Sequence, residues 1–461
     1  MKSKKFQITK KLLSVIPGGA HTYSRGYDQF PSNAPEILSK GKGAYVFDNK
    51  NKKYLDYLMS LRAVNIGYNE PSISKAAIKE IYKGNNLSRP SEVELKAAKQ
   101  LVNLIKSAEM VKFTKNGSTA VTAAVKLARA YTNKDFILRC HDHPFFSYDD
   151  WFIGSTVIKK GIPKKIQSLT KYFKYNDLAS FKKLVKKYKN KVACVVMEPA
   201  SQECPNIYKK NFTVNSCCGK EKCNRNFKRE KNFLKEVQNI CKKNKIVFIL
   251  DEMITGFRWS IKGAQDFYGI KPDLSTFGKA MSNGFSLAAV CGKRKIMQLG
   301  SIEFKGRERV FLLSTTFGAE MMSLAAFIAT VNFIKKRGVI QSIWNYGYKF
   351  KKIFNLISRD LNLTKNIYCY GPACAPYYFC KDKKLKNSNK FKTLFLQEMI
   401  KNGVLMAPSW ISFSYSHGKK ELDKTEIALK KSMMVYRKAL KEGVSKYLKS
   451  DEIKPVFRKF N

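Results

Sequence analysis

The chain has 461 residues, 44% hydrophobic and 13% aromatic, and carries 87 Lys and Arg against 35 Asp and Glu, a formal net charge of +52. Its length exceeds the size at which one core usually divides, so two lobes are expected, and its composition excludes a disordered chain. No apolar run approaches the ~20 residues that span a bilayer, and the apolar piece of the basic start, residues 12–16, is too short for a signal core and is stopped by Pro17, which predicts a cytoplasmic protein.

The charge alone would point to nucleic acid or an anionic surface. The lysines, however, run through nearly every predicted helix and loop, as in "FKKLVKKYKNK" and "FIKKRG", with no basic arm or stripe and no nucleic-acid motif. A lysine-rich composition accounts for this better than a polyanion partner. Eleven cysteines without a secretory signal read as free thiols. Cys217, Cys218 and Cys223 form the one close cluster, in "NSCCGKEKCNRN". Even with Cys204 or Cys241 added, the spacing fits a four-ligand zinc site poorly, so no metal is expected.

In chain order, residues 1–85 form an N-terminal segment with "PGGAHTYSRG" near its start. A hairpin follows in "GAYVFD" and "KYLDYL", its turn beginning at Asp48. From 86 to 330 helices alternate with strands: a helix over 91–105, a strand over 110–113, a helix over 118–131, then the apolar runs "FILRC", "VACVVM", "IVFIL" and "LAAVCG". Continuous apolar runs are the mark of strands buried on both faces, which predicts an α/β domain with a mostly parallel sheet. Residues 331–461 are mainly helical, with "CAPYYFC" and "ISFSYS" as strands of a smaller α+β domain that the N-terminal segment joins.

Ligands of such sheets bind beyond the carboxyl ends of the strands. "KIVFIL" ends in Asp251, a carboxylate in a place where an unpaired charge would cost several kcal/mol. Either it caps the next helix or it meets a cation such as a protonated pyridine nitrogen, the feature that makes pyridoxal phosphate an electron sink. In "KFTKNGSTAVTAAVKLARA", Gly117, Ser118 and Thr119 open an Ala-rich helix whose N-terminus could cradle a phosphate, or form an ordinary capped turn. A second hydroxyl-rich turn is "STTFG" at 314–318. "HDHPFFSYDDWFIGST" brings aromatic rings to a strand end, of which one could stack on a planar ring while the rest pack in the core. "VACVVMEPAS" places Glu198 at the sheet mouth. In "TFGKAMSNG", Gly278 and Ala280 leave room beside Lys279 for such a ring.

These parts, above all "LDEMITGFR" followed by "TFGKAMSNG" and supported by "NGSTA", "MEPAS" and "PGGAHTYSRG", resemble the class III, fold-type I pyridoxal-phosphate aminotransferases. The nearest branch is glutamate-1-semialdehyde 2,1-aminomutase, and the resemblance runs from about residue 14 to about residue 435. It implies a fold-type I architecture with a large cofactor-binding domain, and a homodimer with its sites at the subunit interface. It makes Lys279 the lysine that joins the cofactor aldehyde and shuttles the proton of the substrate α-carbon, and Asp251 the partner of the pyridine nitrogen. Met253 would pack on one ring face, where the family more often has valine, and Phe145 would stack on the ring. Gly117, Ser118 and Thr119 would hold the phosphate, and Thr315 would reach it from the neighbouring subunit. Glu198 joins the cofactor-binding set, and Arg25 matches an arginine that binds the substrate carboxylate.

Two departures bear on substrate. Phe146 and Ser147 replace the His-Gly that usually follows the stacking aromatic, and the basic, Cys-bearing segment 204–230 is foreign to the aminomutase. Both indicate an altered pocket. The expected activity is therefore amino-group transfer to a small carbonyl compound, a sugar, sugar nucleotide or semialdehyde, with the aminomutase reaction as the alternative. A non-catalytic polyanion-binding protein on the same scaffold is a remoter one, disfavoured by the retained Asp251 and Lys279. Binding to heparin or DNA should be lost by physiological salt; retention at that salt would favour the polyanion-binding alternative.

Overall fold

Seven strands form the main sheet of the computed structural model, which describes residues 7–209, 213–214, 228–303, 305–318 and 320–460. They are β1 (Met110–Thr114), β2 (Phe136–Cys140), β3 (Thr170–Phe173), β4 (Val192–Met197), β5 (Val247–Glu252), β6 (Leu274–Phe277) and β7 (Ala288–Gly292). Their spatial order is β1-β7-β6-β5-β4-β2-β3. All neighbours pair in parallel except β7, which runs antiparallel to both β6 and β1. Every residue of β4, β5, β6 and β7 is buried, as the continuous apolar runs of β4, β5 and β7 require.

β3 and β6 are absent from the strands read in the sequence, and the reason is chemical. "TKYF" and "LSTF" carry hydroxyls and a lysine where a buried strand usually shows aliphatic side chains. Inside the fold those hydroxyls are bonded: Thr170 donates to the Trp151 carbonyl at 2.7 Å, and Thr276 to the Asp251 carboxylate at 3.2 Å. A satisfied buried hydroxyl does not bar a strand.

Helices start where local chemistry caps them. Glu92–Leu104 opens on a capping box in which Glu94 accepts from the Ser91 N–H at 2.8 Å. Gly117–Thr132 opens on Asn116, whose side chain accepts from the Thr119 N–H at 3.0 Å, and closes on left-handed Asn133.

The described residues cluster into two units. One contains residues 7–70 and 341–458; the other contains 71–209, 213–214, 228–340 and 459–460, and holds the seven-stranded sheet. The joints drawn from sequence were at 85/86 and 330/331. In the first unit, strands Tyr45–Asp48 and Lys53–Asp56 form the expected hairpin, its turn tied by Asp48 accepting from the Lys50 and Lys52 N–H groups. Leu38–Lys42 and the parallel strand Val404–Leu405 complete a four-stranded sheet. "CAPYYFC" supplies strand Tyr377–Cys380, paired with Ile367–Tyr370.

"ISFSYS" forms no strand. Its N–H groups go one at a time to scattered carbonyls, Ile411 to Pro376, Ser412 to Tyr57, Tyr415 to Asn65 and Ser416 to Ile66, so it is a buried connection without a continuous ladder. Among the described residues no helix is long and apolar enough to cross a membrane.

Gly347 lies inside the helix Val339–Asp360, where a glycine normally weakens the helix by about 1 kcal/mol relative to alanine. Here a Cβ would run into the Ala373 carbonyl, so the usual sign reverses. Gly347→Ala should destabilise the protein by about 2 kcal/mol or more, read as a lowered melting temperature.

Candidate active site

β5 delivers Asp251 to the carboxyl end of the sheet, 2% exposed. Its Oδ1 accepts from the Met253 N–H at 2.9 Å and from the Thr276 hydroxyl at 3.2 Å. Parallel pairing sets Asp251 directly beside Thr276 of β6. Burial pushes the Asp251 carboxyl up to about 6, against the opposing pull of the Met253 N–H, the nearby Lys279 ammonium and the Thr276 hydroxyl. The lysine and the aspartate singled out in the sequence therefore act on one another electrostatically.

Lys279 stands just past β6, at the first position of the short turn Lys279–Ser282, and is half-buried. Its φ of +45° lies in the left-handed region, where a side chain costs of order 1–2 kcal/mol. Strain of this kind collects at functional positions.

Met253 occupies the space between the two glycines. A Cβ at Gly117 would lie 2.8 Å from its sulfur, and one at Gly278 would lie 2.6 Å from it. Ala120 and Ala288 complete the small-residue lining around the thioether. Beside it, the helix Gly117–Thr132 aims the N–H groups of its first turn outward. Thr119 is engaged with its cap, its hydroxyl donating to Asn116 Oδ1 at 3.0 Å. Ser118 is buried and accepts from the Tyr148 N–H at 3.2 Å, while its carbonyl accepts from the Ser147 hydroxyl at 3.3 Å. The aromatic segment is thereby sewn to the helix start.

Within that segment Phe145 is 45% exposed and Phe146 2%. Phe145 touches Phe152 edge to face at 5.7 Å, so an accessible ring and a core ring stand side by side. Glu198 is buried just beyond β4, and its N–H donates to His143 Nδ1 at 3.0 Å. That bond leaves the imidazole proton on Nε2, and burial holds His143 neutral by pushing it down to about 3.

Thr315 is exposed on a turn closed by the Gly318 N–H, at 3.2 Å from its carbonyl. That turn lies against Lys115, whose Nζ sits 5.2 Å from the centre of the Phe317 ring. Arg25 belongs to the first unit. It is exposed and donates from Nη2 to Ser60 Oγ at 3.2 Å, within the left-handed run of residues 59–62.

The sequence reading missed Thr276 and Glu252. The first depends on strand register, which no local pattern reveals. Glu252, next to Asp251, is wholly buried and accepts from the Ala264 N–H, from the Gln265 N–H and side-chain amide, and from the Thr255 hydroxyl. The eight described cysteines are buried, and no group of metal ligands exists among the described residues. Cys217, Cys218 and Cys223 lie outside the described residues.

The chain matches the aminotransferase class-III family over residues 23–212 and 226–414. The chain belongs to that family. It is 31% identical to a glutamate-1-semialdehyde 2,1-aminomutase of Wigglesworthia glossinidia brevipalpis, over 91% of this chain and 96% of that one. It is 29% identical to a 3-aminobutyryl-CoA aminotransferase of Cloacimonas acidaminovorans (strain Evry), over 95% and 98%. The FumI protein of Sphingopyxis sp. MTA144, solved in a PLP form, shares the fold with a TM-score of 0.81 at 22% identity, over 95% of this chain and 97% of that one. The class-III chain is thus a fold-type I enzyme, and pyridoxal phosphate is its cofactor. The residues fit that group: a buried carboxylate for a cationic ring nitrogen and a helix N-terminus for a phosphate.

Burial also pushes Glu252 up, to about 7 from its ordinary 4.5. A carboxyl raised on folding contributes stability that is complete below its unfolded value and lost as pH climbs through the folded one. Glu252→Gln should therefore flatten the fall in melting temperature of the cofactor-free protein between about pH 4.5 and 7, relative to wild type.

Proposed function

We propose that this class-III enzyme transfers an amino group to a small carbonyl substrate, a semialdehyde or sugar-like compound, with Lys279 and Asp251 as its working pair. The observation that carries the reading is the placement of buried Asp251 on β5 and of Lys279 just past β6, the strand paired beside it in the register Asp251 to Thr276. Bound pyridoxal phosphate supplies an aldehyde carbon for amine exchange and a ring that accepts electrons from the substrate α-carbon. Asp251 holds the proton on the ring nitrogen, and burial makes that ion pair strong. The Lys279 side-chain amine takes the α-proton of the amino donor and returns a proton when the carbonyl acceptor is processed.

In this proposal Gly117, Ser118 and Thr119, at the start of their helix, hold the phosphate, and Phe145 and Met253 cover opposite ring faces. Glu198 closes the pocket beyond β4. Thr315, exposed on its turn, serves the phosphate of a second copy in a homodimer, and Arg25 receives a substrate carboxylate. Residues 1–85 with 331–461 act as the small domain, and the enzyme works in the cytoplasm.

Aminotransfer is favoured over internal amino migration by the replaced His-Gly after Phe145 and by the added segment 204–230. The aminomutase reading has its own support in the 31% identical relative. Loading the protein with the amine form of the cofactor, offering semialdehydes, keto acids and keto sugars, and following the spectrum separates the two. Turnover of glutamate-1-semialdehyde alone would select the aminomutase. Lys279→Ala should lose the near-visible absorbance of the loaded wild type and at least 10³-fold in activity, with an unchanged melting temperature, in keeping with the loss of a combined base and nucleophile. Persistence of that absorbance would overturn the assignment.

A further inference from the structure

The carboxylate of Asp251 is held asymmetrically. Among the described residues both hydrogen bonds that it accepts fall on Oδ1, one from the Met253 N–H and one from the Thr276 hydroxyl. The Met253 bond is local, made two residues along the chain. The Thr276 bond crosses from a neighbouring strand and exists because β5 and β6 pair in the register Asp251 to Thr276, which sets the two side chains on one face of the sheet. Thr276 is wholly buried. Its hydroxyl, rotated toward a charged acceptor in a dry setting, makes the stronger kind of hydrogen bond.

We propose that Thr276 is a positioning residue for the cofactor: it binds Oδ1 of Asp251, fixes the carboxylate plane and keeps the group ionised, so that Oδ2 is left for the ring nitrogen. This rests on the assignment of Asp251 to the pyridinium. A rotamer of Asp251 that lost this tether could turn Oδ1 to the ring, and the pyridinium would then compete with the Met253 N–H for one oxygen. Lys279 follows three residues later, on the turn just past β6, so one segment sets both the reacting amine and the group that steadies its counterpart. The charged groups around Asp251 are Lys279 on the turn after β6 and Glu252, next along β5 and bonded to residues 255, 264 and 265; Glu198 follows β4, the other neighbour of β5.

The test compares wild type, Thr276→Val and Thr276→Ser by titrating pyridoxal phosphate into cofactor-free protein between pH 5 and 9. Absorbance and quenching of tryptophan fluorescence report binding. Wild type should bind more weakly as the pH falls through about 6, where Asp251 takes up a proton. Thr276→Val should weaken binding at pH 7 by about tenfold and shift that acid limb to higher pH, because a donor to the ionised form is gone. Thr276→Ser should restore both. In an Asp251→Asn background the Thr276→Val change should have no further effect on affinity, as a double-mutant cycle through the carboxylate demands.

A hydroxyl that merely fills space would lower the melting temperature of Thr276→Val and leave the acid limb where it was; that result overturns the inference. So does a Thr276→Ser protein that behaves like the valine variant. If instead Asp251→Asn leaves cofactor affinity and its pH dependence as in wild type, the assignment of Asp251 itself fails, a separate outcome.

Discussion

A carboxylate kept out of water at the end of a central strand is the constraint around which the larger unit is arranged. Ionised and alone, Asp251 would cost several kcal/mol. Its surroundings supply three compensations: an N–H two residues on, a hydroxyl from the adjacent strand, and the positive charge of Lys279. Each comes from a different feature of the fold, the turn after β5, the register of β5 with β6, and the bend after β6. None fully offsets burial, and the carboxyl remains raised. A carboxylate left partly unsatisfied in this way has attraction in reserve for a cation that arrives later, the part proposed for the cofactor's ring nitrogen.

The steric side of the site follows from one substitution pattern. Met253 is long, and the backbone around it is bare: Gly117 at the start of its helix and Gly278 before the lysine both lie where a methyl group would strike its sulfur. The two glycines are thus matched to a methionine rather than only to a planar ligand. Thioether and glycine together hold the helix start and the lysine turn at a fixed spacing. Ser118 extends the same framework to the aromatic segment through the Tyr148 N–H.

Much of this was readable in the residues. Buried parallel strands announce themselves as unbroken apolar runs, so β2, β4, β5 and β7 stood out, and strand ends then pointed to Asp251 and Glu198. The spacing of Asp251 and Lys279, seen with "NGSTA", led to the family. What escaped was whatever depends on pairing. β3 and β6 carry hydroxyls whose partners lie on other elements, so their polarity hid them. The bond between Thr276 and Asp251 joins residues 25 apart in the chain through a strand register that neither segment encodes alone. "ISFSYS" misled in the opposite sense: its alternation resembles a strand, yet its N–H groups find isolated carbonyls and no ladder.

The left-handed backbone at Lys279 has a thermodynamic meaning of its own. A lysine on an ordinary extended backbone would carry no conformational cost at its main chain. Here the main chain is bent into a conformation that only its surroundings sustain. That cost falls on the folding reaction, once per molecule and not once per turnover, like a spring compressed at assembly and held by its housing.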